Sequence, residues 1–253
     1  MSKHTLFFRF SAAFLLVAGS LSVISCSNYS SVPKTGFVAH HAKNTDSTVP
    51  FDVYWDNGDS ATWNARVNGA NGNRQLIALA PVDLNHMDAK PDSIVDCREL
   101  MQLASYFQKS VKTHFDQTSA RNPHVAMVNP GTKGAYTLEL AIISIRPTNT
   151  RMGLVVTALS AVKWGGLAKS AVKKGHIAIA ARMRDEQGRV ISELADYEED
   201  HSSILGVDAK NFEKYGHHKH TLNEWAREMA DVYSSPFDHK TRKRMMTISP
   251  FAS

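Results

Sequence analysis

From Tyr136 to Ile145 the chain is apolar on both of its alternating faces. Tyr136, Leu138, Leu140 and Ile142 lie on one, and Ala141, Ile143 and Ile145 on the other. Successive side chains of a strand point to opposite sides. A strand apolar on both sides must be covered on both, so this one belongs in the middle of a sheet.

The rest of the chain is read around that strand. Leu76 to Leu84 is a compact apolar run suited to a buried strand, and Pro81 places its end at an edge or bulge. Ser93, with Asp96 three residues on, is expected to cap a helix. On that helix Leu100, Ala104, Phe107 and Val111 share a face, which Cys97 and Phe115 extend. His124 to Val128 is a second strand, closed by Asn129-Pro130-Gly131. In 174–184, Ile177, Ile179, Ala181 and Met183 alternate inward; Asp185 to Gly188 is a hairpin turn, and Val190 to Tyr197 returns. Thr221 with Glu224 forms a capping box. It opens a helix carrying Leu222, Trp225, Met229, Val232 and Tyr233, stopped by Ser234-Ser235-Pro236. The expected fold is a single α/β (α+β) domain over 51–235: a sandwich with a mixed sheet of four to five strands and two main helices.

The chain begins with Lys3 and Arg9, the apolar run Phe10 to Val17, and then Leu21-Ser-Val-Ile-Ser-Cys26. A cationic head, a short apolar middle and small residues before the cut describe a secretory leader over 1–25. A spanning helix needs about 20 apolar residues. Arg9 leaves only the fifteen from Phe10 to Ile24, diluted by Ser11, Ser20 and Ser22. Val-Ile-Ser before Cys26 resembles the bacterial lipobox, which implies that the Cys26 sulfur receives a diacylglycerol and its amine a further acyl chain. Ser27 in place of Asp resembles sorting to the outer membrane. Residues 26–50, rich in Ser, Thr, Asn and Lys, are expected to be a flexible tether. Phe51 to Trp63 reads as an irregular aromatic arm, with a carbohydrate-stacking surface as the sharper alternative; Asn68 to Asn73 reads as a turn.

Charge narrows the partners. Of the 29 Lys and Arg residues, two leave with the leader. Four more, Lys240, Arg242, Lys243 and Arg244, sit in the tail 236–253, whose one acid is Asp238. The body between Cys26 and Ser235 then balances 23 cations against 23 anions. A neutral body with a basic tail lacks the cationic docking face of a nucleic-acid binder. The tail is expected to be a solvated end, with anionic lipid or lipopolysaccharide as an alternative contact. With Cys26 lipidated, Cys97 has no partner for a disulfide and is expected to be a buried, inert thiol.

Several motifs arrive in a familiar order. After the lipobox come Thr35-Gly36-Phe37-Val38, the Tyr54 to Trp63 stretch and the Leu79-Ala80-Pro81-Val82 strand. The Leu138 to Ile145 strand, a Gly/Ala-rich insert, the Met183 to Val190 hairpin and the Trp225 helix follow. This order is similar to an uncharacterised family of Gram-negative lipoproteins, a numbered domain of unknown function. That family has a polar Asp-Tyr pair soon after Gly-Phe, where this chain has Ala39-His40-His41. More loosely, the layout resembles the α/β domains of envelope assembly lipoproteins, such as the curli secretion channel subunit and the periplasmic activators of peptidoglycan synthases. The resemblance implies a place and a fold, not a chemistry.

Candidate sites are few. His217, His218 and His220 could ligate a soft divalent metal with Glu198, Glu199 or Asp200, but adjacent histidines rarely converge on one ion, and a surface loop is the expected setting. Asp200-His201-Ser202 cannot act as a triad, because neighbours on an extended chain diverge. Lys169-Ser170 lacks the spacing of a phosphate loop. Glu139, Glu193 and Asp196 lie on strands and are read as exposed strand-face carboxylates. In the insert 152–172, Trp164, Leu154, Val155 and Leu159 are expected to pack on the sheet, with a membrane surface or a second copy of the chain as alternatives. No cofactor, metal or catalysis is expected. The leading reading is an outer-membrane-anchored, periplasm-facing lipoprotein that binds an envelope protein or polymer. The alternative is an envelope enzyme acting on cell-wall or glycan material.

Overall fold

The computed structural model describes residues 32–45, 49–88, 96–147, 175–199 and 215–236. Six strands form one mixed sheet: β1 (Val53–Asp56), β2 (Gln75–Leu79), β3 (Val125–Val128), β4 (Ala135–Arg146), β5 (His176–Arg184) and β6 (Val190–Glu199), in the order β1-β6-β5-β4-β2-β3. β2 runs parallel to β3 and β4, and the other pairs are antiparallel. Three helices accompany them: α1 (Ser60–Val67), α2 (Cys97–Arg121) and α3 (Gly216–Tyr233). The α/β sandwich expected from the sequence is present, with one more strand and one more helix. Both additions come from the stretch read as an irregular arm, which holds β1 and α1. β1 is only four residues long and lies at the sheet edge, too short to show a period.

The long β4 is central, as its two apolar faces require. Leu138, Leu140 and Ile142 join the helix-side core, while Ala141 and Ile143 join the opposite cluster. Ile145 departs from the expectation. A register shift between Ile142 and Ser144 returns it to the helix side, since one extra residue reverses the alternation beyond it. On β5, Ile177, Ile179, Ala181 and Met183 face the helices as expected. The main core is these strands against Phe107, Val111 and Phe115 of α2 and Leu222, Trp225 and Met229 of α3, all fully or nearly fully buried.

The helix starts differ from the expected ones. Asp96 caps α2, its carboxylate accepting from the Arg98 N–H at 3.1 Å; Ser93 lies outside the described residues. The apolar stripe of α2 begins at Leu100. Cys97, the first helical residue, projects past that stripe and is exposed, not buried. α3 starts at Gly216, so Thr221 is an interior, buried helix residue and no capping box forms there.

The second sheet face is covered by residues from the stretch read as a tether. Val32, Phe37 and Val38 are buried against Val53, Ala141, Ile143, Ala178, Ala180 and Ala195. Gly36, at φ 80°, turns the chain just before Phe37, a conformation other residues rarely adopt. Four alanines in the middle of the sheet leave a furrow that this strap fills. Val32, Phe37 and Val38 are therefore packed, within a stretch expected to be a flexible tether.

Candidate functional site

The strap is held by a row of charges across three strands. Glu139 of β4, Arg182 of β5 and Glu193 of β6 are register partners in turn. The Arg182 guanidinium bonds Glu139, donates to the Phe37 carbonyl at 2.9 Å and lies 4.4 Å from the centre of the Phe37 ring. Glu193, with only 4 % of its side chain exposed, accepts from the Ala39 and His40 N–H groups at about 3.0 Å. It also lies 2.6 Å from His40 Nδ1. The His40 ring in turn stacks on Trp55 of β1 at 4.0 Å.

These contacts correct the reading of the three strand carboxylates. Glu193 and Asp196 are buried rather than exposed: the strap covers Glu193, and Trp225 of α3 donates its indole N–H to Asp196. Glu139 is bound by Arg182 and Arg184. Carboxylates engaged in this way fasten layers together.

At the hairpin end of the sheet, a cleft of about 350 Å³ opens between α1, the β5–β6 turn and the last residues of α3. That volume suits small-ligand or side-chain recognition. Trp63 and Tyr136 lie parallel 6.3 Å apart in its wall, and the Trp63 indole N–H donates to the Ser235 carbonyl. Arg66 covers the Tyr136 ring at 4.7 Å and pairs with Glu186 at 2.9 Å. The rings are walls of the cleft, not open stacking platforms. Burial raises the Tyr136 phenol above its ordinary value, with Arg66 opposing, so the group stays a neutral hydrogen-bonding hydroxyl. Deeper in, Ser192 Oγ and Tyr233 Oη are 3.1 Å apart.

The acids of the cleft differ in their engagement. Burial would raise the Asp185 carboxyl, but the Arg189 and Gln187 N–H groups and the Arg189 guanidinium hold it below the usual carboxylate range. A carboxyl held ionised is wrong for a general acid. Asp56 and Asp59 each use one oxygen on a turn N–H, those of Gly58 and Thr62. Neither has a cationic partner among the described residues. With Asp185 and Glu186 neutralised by Arg189 and Arg66, the cleft keeps two uncompensated negative charges.

The opposite end of the sheet holds another pair that sequence reasoning missed. Ser144 Oγ lies 3.0 Å from His176 Nε2. Burial, aided by Arg146, pushes the His176 imidazole below its ordinary value. No carboxylate hydrogen-bonds this imidazole among the described residues, so the pair is not a triad. The β4 bulge brings the two together, and a bulge leaves little trace in sequence.

The histidine cluster is helical, not a surface loop. His217, His218 and His220 lie in the first turns of α3. His218 is buried, its Nε2 within 3.0 Å of the Arg146 carbonyl and 3.2 Å of the His176 carbonyl. It ties the helix start to the ends of β4 and β5. Among the described residues no three His, Cys, Asp or Glu side chains gather as metal ligands, and no helix is long and apolar enough to cross a membrane. Cys26, Leu154, Val155, Leu159 and Trp164 lie outside the described residues, as do Lys169-Ser170 and Asp200-His201-Ser202.

No family model matches the chain, and no curated protein does. Among solved structures, the chain is similar to a PelC dodecamer from Paraburkholderia phytofirmans, at 8% identity and a TM-score of 0.32, over 64% of this chain and 90% of that one. It is also similar to protein XCC0632 from Xanthomonas campestris, described under the unknown-function family DUF330, at 12% identity and a TM-score of 0.37. That match covers 62% of this chain and 81% of the other.

Proposed function

We propose that the chain is a lipoprotein held at the outer membrane through Cys26, and that its periplasm-facing domain is a non-catalytic binding module for an envelope protein or polymer. The observation that carries the reading is the cleft between α1, the β5–β6 turn and the end of α3. It combines aromatic walls, turn-borne carboxylates and exposed amide and guanidinium groups, the mixture used to recognise polar chains. The buried strap bears on the anchor. From Cys26 to Val32 is six residues, at most about 20 Å of extended chain. A lipidated Cys26 therefore holds the domain beside the bilayer instead of on a long leash.

Two measurements test this. Mass spectrometry of the protein from envelopes is expected to find a chain starting at Cys26 and carrying diacylglycerol and an amide-linked acyl group; an intact leader overturns the anchor. Photo-crosslinkers placed at Thr62 and Gln187 on the cleft, and at exposed Met101 on α2, test the site in intact cells. Capture of one envelope component from the cleft positions alone is expected, and equal capture from all three overturns it.

The enzyme reading rests on the same cleft, which holds Asp56, Asp59, Asp185 and Glu186. Release of soluble fragments from peptidoglycan by the purified protein, lost in Asp59→Asn, would replace binding by hydrolysis.

A further inference from the structure

Alternation along β1 decides what this edge strand shows to the cleft. Val53 and Trp55 point to the strap side, where Val53 is buried and Trp55 stacks on His40. Tyr54 and Asp56 point the other way, and both line the cleft. Asp56 is the register partner of Ser192 on β6, so its carboxylate stands on the same face as the Ser192 hydroxyl. Three residues on, Asp59 caps α1 from the same rim. Each carboxylate keeps one oxygen outside the turn hydrogen bonds. Ser192 and Tyr233, 3% and 1% exposed, also line the cleft. Their mutual hydrogen bond uses one hydrogen and one lone pair, so further lone pairs in this buried corner have no donor among the described residues. We propose that the cleft receives an alkyl-ammonium group, a lysine-type side chain of the partner, with its cation against Asp56 and Asp59 and its stem along the apolar wall. This rests on the binding reading above and names the group that is read.

Charge, donors and shape select this ligand. The two carboxylates have no counter-charge among the described residues, so an anion is repelled and a neutral group leaves them uncompensated. Arg66 and Arg189 are held by Glu186 and Asp185 and do not compete. An ammonium carries three N–H donors and no acceptor, which suits a corner of carboxylate and hydroxyl oxygens. An arginine fork wants both oxygens of one carboxylate, and here each acid has one oxygen committed to a turn N–H. A divalent cation needs more oxygen ligands than these, and no three metal-ligating side chains gather among the described residues. Val49, Ile191 and Val232, partly buried at the margin of the core, line the cleft. A four-carbon stem lies along such a wall while its charged end stays at the rim.

NMR of the purified full chain tests it, with Nα-acetyl-lysine methylamide as the probe and its Nε-acetylated twin as the uncharged control. The amine is expected to shift the Gly58 and Thr62 amides and the Trp63 indole N–H. It should bind about tenfold more tightly than the twin, the factor that one charge-assisted hydrogen bond gives. In Asp56→Asn/Asp59→Asn that preference should vanish. Asn still accepts the Gly58 and Thr62 turn hydrogen bonds and caps α1 as well as Asp does, so unchanged amide shifts in the rest of the sheet will report an intact fold. Equal binding of amine and twin overturns the proposal. So does a preference that survives in the variant, or calcium chloride that moves the same amides and displaces the probe at matched ionic strength. The photo-crosslinkers at Thr62 and Gln187 separate this inference from the reading beneath it. Capture that is lost in the variant supports the amine. Capture undiminished in the variant overturns the amine and leaves the binding reading standing. Capture from neither position in the wild type fails the binding reading, while the probe titration still decides whether the cleft takes an amine.

Discussion

The two faces of the sheet are closed by different means. Toward the helices the strands present Ile77, Leu138, Leu140, Ile142, Ile177 and Ile179, and α2 and α3 fill the space with Phe107, Phe115 and Trp225. Toward the strap they present Ala141, Ala178, Ala180 and Ala195, and three buried residues of the strap suffice to cover them. Bulk against bulk covers most of that face, with a few polar ties such as Trp225 to Asp196 and His218 to the strand-end carbonyls added to it. A strap of nine residues, Val32 to His40, buries little by comparison, so it is fastened by Arg182 and Glu193 through its own backbone. The helix face owes its stability to volume, and the strap face to small size plus a charged clamp.

The largest expected effect tests the volume side. Trp225→Ala should cost about 3–5 kcal/mol in urea unfolding, and it also leaves Asp196 buried without the indole donor. Trp225→Phe keeps most of the ring and removes the donor, for about 1–3 kcal/mol. If the two variants cost the same, volume is not what holds that face. On the strap side the sign of the size change reverses. Ala180→Leu should cost about 1–3 kcal/mol by overpacking. Hydrogen exchange should rise at the amides of 37–40 while α2 and α3 stay protected. Uniform loss of protection would show that the faces unfold as one unit and erase the distinction.

The clamp comes next. Glu193→Gln removes the charge beside His40 and one of the oxygens that receive the Ala39 and His40 N–H groups. A loss of about 1–2 kcal/mol is expected, with exchange again rising first in the strap. His176 adds a smaller pH effect from the same side of the sheet. Its imidazole is pushed below the ordinary value of 6.5 by burial and by Arg146. The unfolded chain therefore takes up this proton more readily than the folded one. That contribution to stability is complete above about pH 6.5 and is lost as pH falls toward the depressed folded value. His176→Asn should flatten the stability profile below pH 6.5, and an unchanged slope would show that other groups set it.

This contrast also explains what could be read from the sequence. The helix-side strands were legible because β4 and β5 are long, 12 and 9 residues, and β4 alternates cleanly as far as its bulge, and the β5–β6 turn because Asp185 to Gly188 has turn chemistry. The strap was not. Phe37 and Val38 sit among Ser, Thr and Lys, and what orders them is a row of alanines and a glutamate some 150 positions away. The first turns of α3 were missed for a related reason. Their histidines do not look like an apolar stripe, yet His218 is buried because strand-end carbonyls accept its hydrogen bond. The cleft drew on three separate turns, each ordinary alone, and only folding brings Asp56, Asp59 and Glu186 to one rim.

The smallest expected effect belongs to Cys97, and it links the fold to the proposed anchor. Position three before Leu100 made it look like part of the buried stripe of α2. As the first residue of the helix it lies outside the core and is exposed, so Cys97→Ser should shift stability by less than about 0.5 kcal/mol. The native thiol should react with an aromatic disulfide reagent as fast as the unfolded one. A slow reaction that accelerates on unfolding would return Cys97 to the core and move the start of the α2 stripe back by one turn. The same titration counts thiols. The chain has two cysteines, and a sulfur in a thioether to glycerol cannot exchange with a disulfide. Protein taken from the membrane should therefore show one reactive thiol per chain, and Cys97→Ser should show none. Two thiols in native material would leave the strap face as before but remove the lipid that is argued to hold it beside the bilayer.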